Sequence, residues 1–359
     1  VRAAVWDGAT LEVRDDVVVR PPAAGEVAVD LVASGICHSD LNVIEHGSPP
    51  PPVILGHEGA GVVSEVGPGV TDLRVGDPVV VCTMTPCRTC RHCARGRYSA
   101  CATVFRGGPS PFSHDGRSVR AYANLSSFAS RVTVRASQCV PAPGLSARGA
   151  CLISCAVSTG YGVVRNVAEV GPGDTVVVIG VGGIGVNALQ TARLQGAAQV
   201  IAVDVNPAKE PAARRFGADG FVVVEPGAGA ADVAATVRHH AGIDIDAVIE
   251  CSGVAPAMAA ALAMVGPTGT VALVGIPPPG TRLDFDAVEL VRGRRVLGSL
   301  NGNIDPARDI ADIVALAQDG RLELDAQVSA VFPLARVVDA VAAVGRGENV
   351  RVVLDHTSS

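Results

Sequence analysis

Apolar positions in the first half of the chain come in short alternating runs broken by Gly, Pro and Asp. GEVAVDLVASG, AGVVSEVGPGV and GDPVVVC each read as a strand bounded by turn residues. This half predicts a β-rich domain. From Gly171 the pattern changes: a strand, GDTVVVIG, leads into the helical period of IGVNALQTARLQ and then into the strand QVIAVD. Further strands are predicted at Gly220–Val224, Asp246–Glu250 and Thr270–Val274, with helical stretches between them. Such alternation implies an α/β fold with a doubly wound parallel sheet covered by helices on both faces. After about Leu300 come two predicted helices, DPARDIADIVALAQDG and PLARVVDAVAAVG, and a last strand, NVRVVLD. So short a tail is expected to complete the first domain rather than form a third. Pro211, in NPAKEPAARRFG, deletes a backbone donor one turn after Pro207, so that helix is expected to start late or kink.

Composition sharpens this picture. The 359 residues suggest about two domains, and a 48% apolar content lets each bury a core. Charged residues make up only 18% and the net charge is −6, which leaves no basic field to neutralise a phosphate backbone or an anionic membrane surface. Nucleic acid and membrane are therefore not expected as partners. The longest apolar stretches, Thr175–Val186 and Ala255–Gly266, stop short of the roughly 20 residues that cross a bilayer. The opening VRAAVWDGATLEVRDD carries acids early and no apolar run of signal-peptide length, so a cytoplasmic protein is expected.

Ten cysteines in a chain read as cytosolic favour metal ligation over disulfides. Cys87, Cys90, Cys93 and Cys101 form C-x2-C-x2-C-x7-C, dense enough to close a tetrahedral structural zinc site with no position left for substrate. Uncomplexed thiols, local disulfides and an iron–sulfur cluster are the rival readings.

Directly after TVVVI stands Gly180-Val181-Gly182-Gly183-Ile184-Gly185, a G-x-G-x-x-G that opens a predicted helix. Its glycines permit the tight turn, the approach of backbone to a pyrophosphate and close packing of helix on strand. The next strand ends in Asp204, about 20 residues on, where a carboxylate receives the adenosine ribose hydroxyls and repels a 2′-phosphate. NAD is therefore expected over NADP.

A second donor set is scattered: Cys37 in GICHSD, His57 and Glu58 in GHEGAG, and Cys155 in SCAVSTGYG. Two thiolates and an imidazole with an open fourth position make up a catalytic zinc site. Taken singly, Cys155 reads better as a small core residue and His57 as a turn residue, and spacing alone does not join them. These segments, with LGHEGAGVV, VGPGV, VGDPVVV, the four-cysteine lobe, GVGGIG, AVDVNPAK and VGIPP, give the chain nearly full-length similarity to the zinc-dependent medium-chain dehydrogenase/reductase family, in its alcohol dehydrogenase branch.

That resemblance implies a GroES-like catalytic domain from 1–156 and 301–359 and a Rossmann domain from 157–300. It also implies two zincs per chain. Cys37, His57 and Cys155 match the catalytic ligands, and Glu58 a carboxylate able to approach the metal. Asp40 matches an acid that accepts the other ring N–H of His57, and Ser39 the hydroxyl that meets the substrate oxygen. Cys87, Cys90, Cys93 and Cys101 match the structural ligands. Besides Gly180, Gly182, Gly183, Ile184 and Gly185, the cofactor positions are Asp204 and Lys209 at the ribose, His38 and Arg351 at the pyrophosphate, and Val274, Gly275, Ile276 and Thr159 at the nicotinamide. The implied reaction is reversible hydride transfer between a primary alcohol and NAD, in a homodimer or homotetramer. Thr83 and Met84 stand where relatives place a large aromatic and Tyr122 on another wall, which favours bulky, allylic or aryl alcohols. Thiol-dependent formaldehyde oxidation is the rival activity, and a non-catalytic zinc- and NAD-binding protein the rival class. Cys82, Cys139, Cys151 and Cys251 match no ligand and are expected to pack. His46, His92, His114, His239, His240 and His356 are expected on the surface or in loops.

Overall fold

The computed structural model describes residues 1–106, 108–225 and 227–358. The chain divides into two compact units, Val1–Ala156 with Asp305–Ser359, and Val157–Ile304.

In the first unit the long strand Glu26–Ile36 is the spine of a seven-stranded sheet. It pairs antiparallel with Glu58–Val66, with Arg131–Arg135 and with Arg351–Asp355. Pairing with Glu58–Val66 brings the backbones so close that a Cβ on Gly61 would stand 2.1 Å from the Asp30 carbonyl oxygen, which leaves glycine the residue that fits. One face packs Val27, Val29, Leu31 and Val63 against Ile54 and Phe112 of a second, six-stranded sheet. Each such side chain contributes about 1.5–3 kcal/mol on burial. The C-terminal segment joins this sheet: Arg351–Asp355 lies between Glu26–Ile36 and Val328–Pro333. The return is led by the helix Pro306–Gln318, capped by Asp305, whose carboxylate accepts from the amide of Ala307 at 3.3 Å. Its buried stripe is Ile310, Ile313 and Val314.

The second unit holds six parallel strands in the order Gly220–Val223, Gln199–Asp204, Thr175–Ile179, Ala247–Glu250, Thr270–Leu273 and Arg295–Gly298. Thr175–Ile179 is buried at every residue, as expected of a parallel strand covered on both faces. The strand order reverses on either side of it, the switch point at which doubly wound sheets bind ligands. After Asp204 the chain makes a 3₁₀ turn at Pro207–Lys209, and the α-helix begins only at Glu210. Pro211 thus falls in the first turn, where a missing N–H costs nothing. Among the described residues no single helix is long and apolar enough to cross a membrane.

Candidate active site and metal centres

Three tight bends bring the scattered donors together in the first unit. Cys37 follows the spine strand as the extended residue that precedes the helix His38–His46. His57 follows Gly56, which has φ +87° and where a Cβ would stand 2.7 Å from the backbone nitrogen of Phe128. Cys155 closes the 3₁₀ turn Cys151–Ser154. Donor atoms of Cys37, His57, Glu58 and Cys155 all lie within 4.8 Å of one another.

The surroundings of these donors favour a cation. A hydrogen bond from Cys155 holds the Cys37 thiol well below its ordinary range against the cost of burial, with His57 adding to the effect. The same bond, with burial, pushes Cys155 well above it. Burial works against a charged His57, but Asp40 and the Cys37 sulfur outweigh it and raise its pKa. Soft thiolates with an imidazole are the donors zinc prefers, so the residues present fit that metal.

Asp40, wholly buried, organises the cluster. Its carboxylate accepts from the amides of Cys37 and Gly56, each at 3.0 Å, and lies 3.3 Å from His57 Nδ1. With Nδ1 carrying the proton, the lone pair of Nε2 faces the other donors. Ser39 Oγ donates to Cys37 Sγ at 3.1 Å and lies 3.5 Å from His57 Nε2. Tyr122 meets the His57 ring edge-on at 5.5 Å, and its hydroxyl donates to the Ser39 carbonyl at 3.4 Å.

Sequence reasoning missed what Glu58 and Arg351 do to each other. The structure pairs them in a buried ion pair, and Glu58 Oε1 also accepts from the Ala156 amide at 3.2 Å. Burial pushes the Glu58 carboxyl up to about 7, with Arg351 opposing the rise. Arg351 Nε is buried without a hydrogen-bond partner among the described residues. Room for the pair depends on Gly35, where a Cβ would sit 1.9 Å from Glu58 Oε2, a constraint that only the structure reveals.

The second cluster, Cys87, Cys90, Cys93 and Cys101, also keeps its donor atoms within 4.8 Å. Hydrogen bonds from the Thr89 amide and hydroxyl and the Cys90 amide lower the Cys87 thiol to about 5, whereas burial and neighbouring thiols push Cys93 up to about 12. Four thiol donors on one short loop fit a structural zinc. Arg88, inside the loop at φ +58°, lies over the Tyr98 ring at 5.1 Å and donates to Asp305 at 2.7 Å.

Cys82, Cys139 and Cys151 are buried and belong to neither donor set, and burial with the nearby Glu58 charge pushes the Cys151 thiol up. His46 Nδ1 folds back onto the Asn42 carbonyl at 3.0 Å. His356 stands in the bend that follows Arg351–Asp355. It is half-buried, its Nε2 meets Ser34 Oγ at 2.8 Å, and burial holds it down to about 4.

In the second unit Gly180 turns the chain at φ +93°, and its amide donates to Val203 O at 2.8 Å. Gly182 precedes the helix that opens with Gly183 and Ile184. A Cβ on Gly185 would stand 1.9 Å from Gly180 O, so strand and helix meet there backbone to backbone. Asp204 is fixed at the loop, accepting from the amides of Val181 at 2.7 Å and Asn206 at 2.9 Å. Lys209 is buried, which lowers its pKa against the pull of Asp204. Thr159 and Val274 are buried, Gly275 presses on Gly253, and Ile276 is 69% exposed. His38 is exposed on the first turn of its helix in the other unit.

Residues 23–144 match the alcohol dehydrogenase GroES-like domain, and residues 183–319 the zinc-binding dehydrogenase domain. The chain belongs to the zinc-dependent alcohol dehydrogenase family. An S-(hydroxymethyl)glutathione dehydrogenase of Synechocystis sp. is 32% identical, the match covering 95% of each chain. Alcohol dehydrogenase 1 of Petunia hybrida is 31% identical, with 98% of this chain and 95% of that one covered. The solved benzyl alcohol dehydrogenase of Acinetobacter calcoaceticus superposes with a TM-score of 0.89 at 29% identity, covering 99% of this chain and 98% of that one. The protein is an oxidoreductase of this medium-chain family, with a GroES-like unit and a Rossmann unit.

Proposed function

We propose that this alcohol dehydrogenase oxidises bulky, allylic or aryl primary alcohols reversibly to aldehydes with NAD. The observation that carries the reading is the buried donor set of Cys37, His57 and Cys155 with the Ser39 hydroxyl 3.1 Å from one sulfur. Zinc held by these three residues supplies Lewis acidity, which lets an alcohol lose its proton near neutral pH. The Gly180–Gly185 loop and Asp204 would hold NAD, which would supply a two-electron acceptor for the hydride and its electron pair. Ser39 receives the hydroxyl proton and passes it toward water. Asn42 on the same helix cannot act as a base near pH 7, and His46 is engaged with the Asn42 carbonyl, so the proton leaves without a histidine relay. Asp40 keeps His57 in the donor tautomer, and Arg351 holds Glu58 beside the metal position. Cys87, Cys90, Cys93 and Cys101 hold a second, structural zinc.

Asp204 favours NAD, since a 2′-phosphate beside it would bring two anions together. Thr83 in place of a larger side chain favours a wide substrate pocket. The edge strand Arg295–Gly298 favours pairing with a second copy into a dimer or tetramer, and cysteines kept as thiols rather than disulfides favour a cytoplasmic protein. Thiol-dependent formaldehyde oxidation is the second reading, supported by the similarity to S-(hydroxymethyl)glutathione dehydrogenases. A panel of alcohols with NAD and NADP, and formaldehyde with and without added thiol, tests both. Benzyl alcohol with NAD is expected to give the highest kcat/KM. A thiol-dependent formaldehyde rate above every alcohol would replace the first reading with the second, and ethanol as best substrate would remove the bulky-alcohol claim.

A further inference from the structure

The GroES-like unit contains a pocket of about 400 Å³ that includes none of the metal-cluster residues. Its walls are fixed by hydrogen bonds before any ligand arrives. The amide of Arg20 donates to Pro111 O at 2.9 Å, the amide of Thr85 to Val104 O at 2.8 Å, and Ser110 Oγ to Val119 O. At its floor Gln138 Nε2 bridges the carbonyls of Cys82 and Asn124 at 2.9 and 3.0 Å. A pocket this size takes a small organic molecule, and a preformed one spares the ligand the cost of ordering it.

Its charge is unbalanced. Arg20, Arg120, Arg135 and Glu26 line it, and Glu26 is committed to Arg20 through two contacts at 2.5 and 2.7 Å. Arg120 and Arg135 are exposed at the pocket's rim, and their guanidinium groups make no hydrogen bond or salt bridge among the described residues, although the Arg135 charge also acts on Glu26. This leaves two cationic forks in a pocket of a chain whose net charge is −6. Phe105 and Leu125 add apolar wall. Asn124 donates through Nδ2 to Thr83 O and Val104 O, while its Oδ1 has no donor among the described residues.

We propose that this pocket binds a compact organic anion, a carboxylate or phosphate carried on a small apolar body, with its oxyanion between Arg120 and Arg135. Guanidinium forks match both head groups, and the wall of Phe105 and Leu125 receives the body. The pocket backs onto the proposed active site. Ala123 and Asn124 line it, both at positive φ, in the turn that Tyr122 opens through bonds between its own backbone and Ser126. Tyr122 meets the His57 ring at 5.5 Å. An occupant therefore presses on the turn that sets Tyr122, and changes turnover without taking the place of the alcohol.

Benzoate and phenyl phosphate are the probes, with benzamide as the neutral counterpart, titrated calorimetrically into the zinc-loaded enzyme and into the Arg120→Gln/Arg135→Gln variant. At least one anion is expected to bind saturably to the wild type, benzamide not to bind, and the variant to weaken the anion at least tenfold while keeping the alcohol kcat and KM of the wild type without probe. Benzoate alone or phenyl phosphate alone identifies the head group and supports the site. No binding, equal binding to the variant, or inhibition competitive with the alcohol, which would put the anion in the active site, overturns the proposal.

Discussion

The two four-donor clusters share a chemistry and differ in how the chain builds them. Cys87, Cys90, Cys93 and Cys101 come from one loop with little core of its own, held by a 3₁₀ turn, the left-handed Gly96 and the bridge from Arg88 to Asp305. Cys37, His57, Glu58 and Cys155 come from three bends that the seven-stranded sheet places side by side, and around them stand Asp40, Arg351 and Tyr122. On the proposed reading the loop draws its order from a metal, whereas the sheet has a structure that offers a place for one. Removing a ligand should therefore damage the fold in the first case and the chemistry in the second.

The largest effect is expected from His57→Ala. Steady-state kcat/KM should fall below about one-thousandth of wild type, a loss of about 4 kcal/mol of transition-state stabilisation, while the thermal transition stays near its original position. Equal loss of fold would erase the contrast. Cys90→Ala should do the reverse, costing on the order of several kcal/mol of stability in denaturant titrations, because metal binding in such a loop is part of its folding energy. A variant that unfolds like wild type would show that the loop stands without its metal.

Asp40→Asn sharpens the comparison from inside the buried cluster. It keeps the shape but weakens the partner that fixes the His57 tautomer, so competition with a chelator should show zinc affinity at the catalytic position lowered about 10–100-fold, with the loop zinc unaffected. The smallest effect is expected from Arg88→Ala. Its ion pair with Asp305 is half exposed on the arginine side, so the change in unfolding free energy should stay within about 1 kcal/mol. A loss of several kcal/mol would mean that this bridge, rather than the thiols, holds the loop.

The same contrast explains what could be read from the chain before its structure. A donor set written in one loop needs no fold to be recognised, and neither does the Gly180–Gly185 turn, whose strand, glycines and helix are consecutive. The strand runs at Thr175–Ile179 and Gln199–Asp204 were legible because a sheet covered on both faces requires unbroken apolar stretches. Cys37, His57 and Cys155 became a set only through family resemblance, because their proximity is a property of strand register that no local pattern encodes. The Glu58–Arg351 pair was invisible for the same reason, joining residues 293 positions apart. Tyr122 against His57 likewise depends on a turn at positive φ made by Ala123 and Asn124, of which Asn124 favours that conformation and Ala123 does not.

Zinc stoichiometry of three purified proteins tests the central claim most directly, with stability and turnover measured on the same samples. Wild type should carry two zincs. His57→Ala should carry one, folded and inactive, and Cys90→Ala should carry one in a destabilised chain whose remaining folded fraction still oxidises alcohol. One zinc in wild type, or the same zinc content, stability and activity in both variants, would contradict the division of labour between the two clusters.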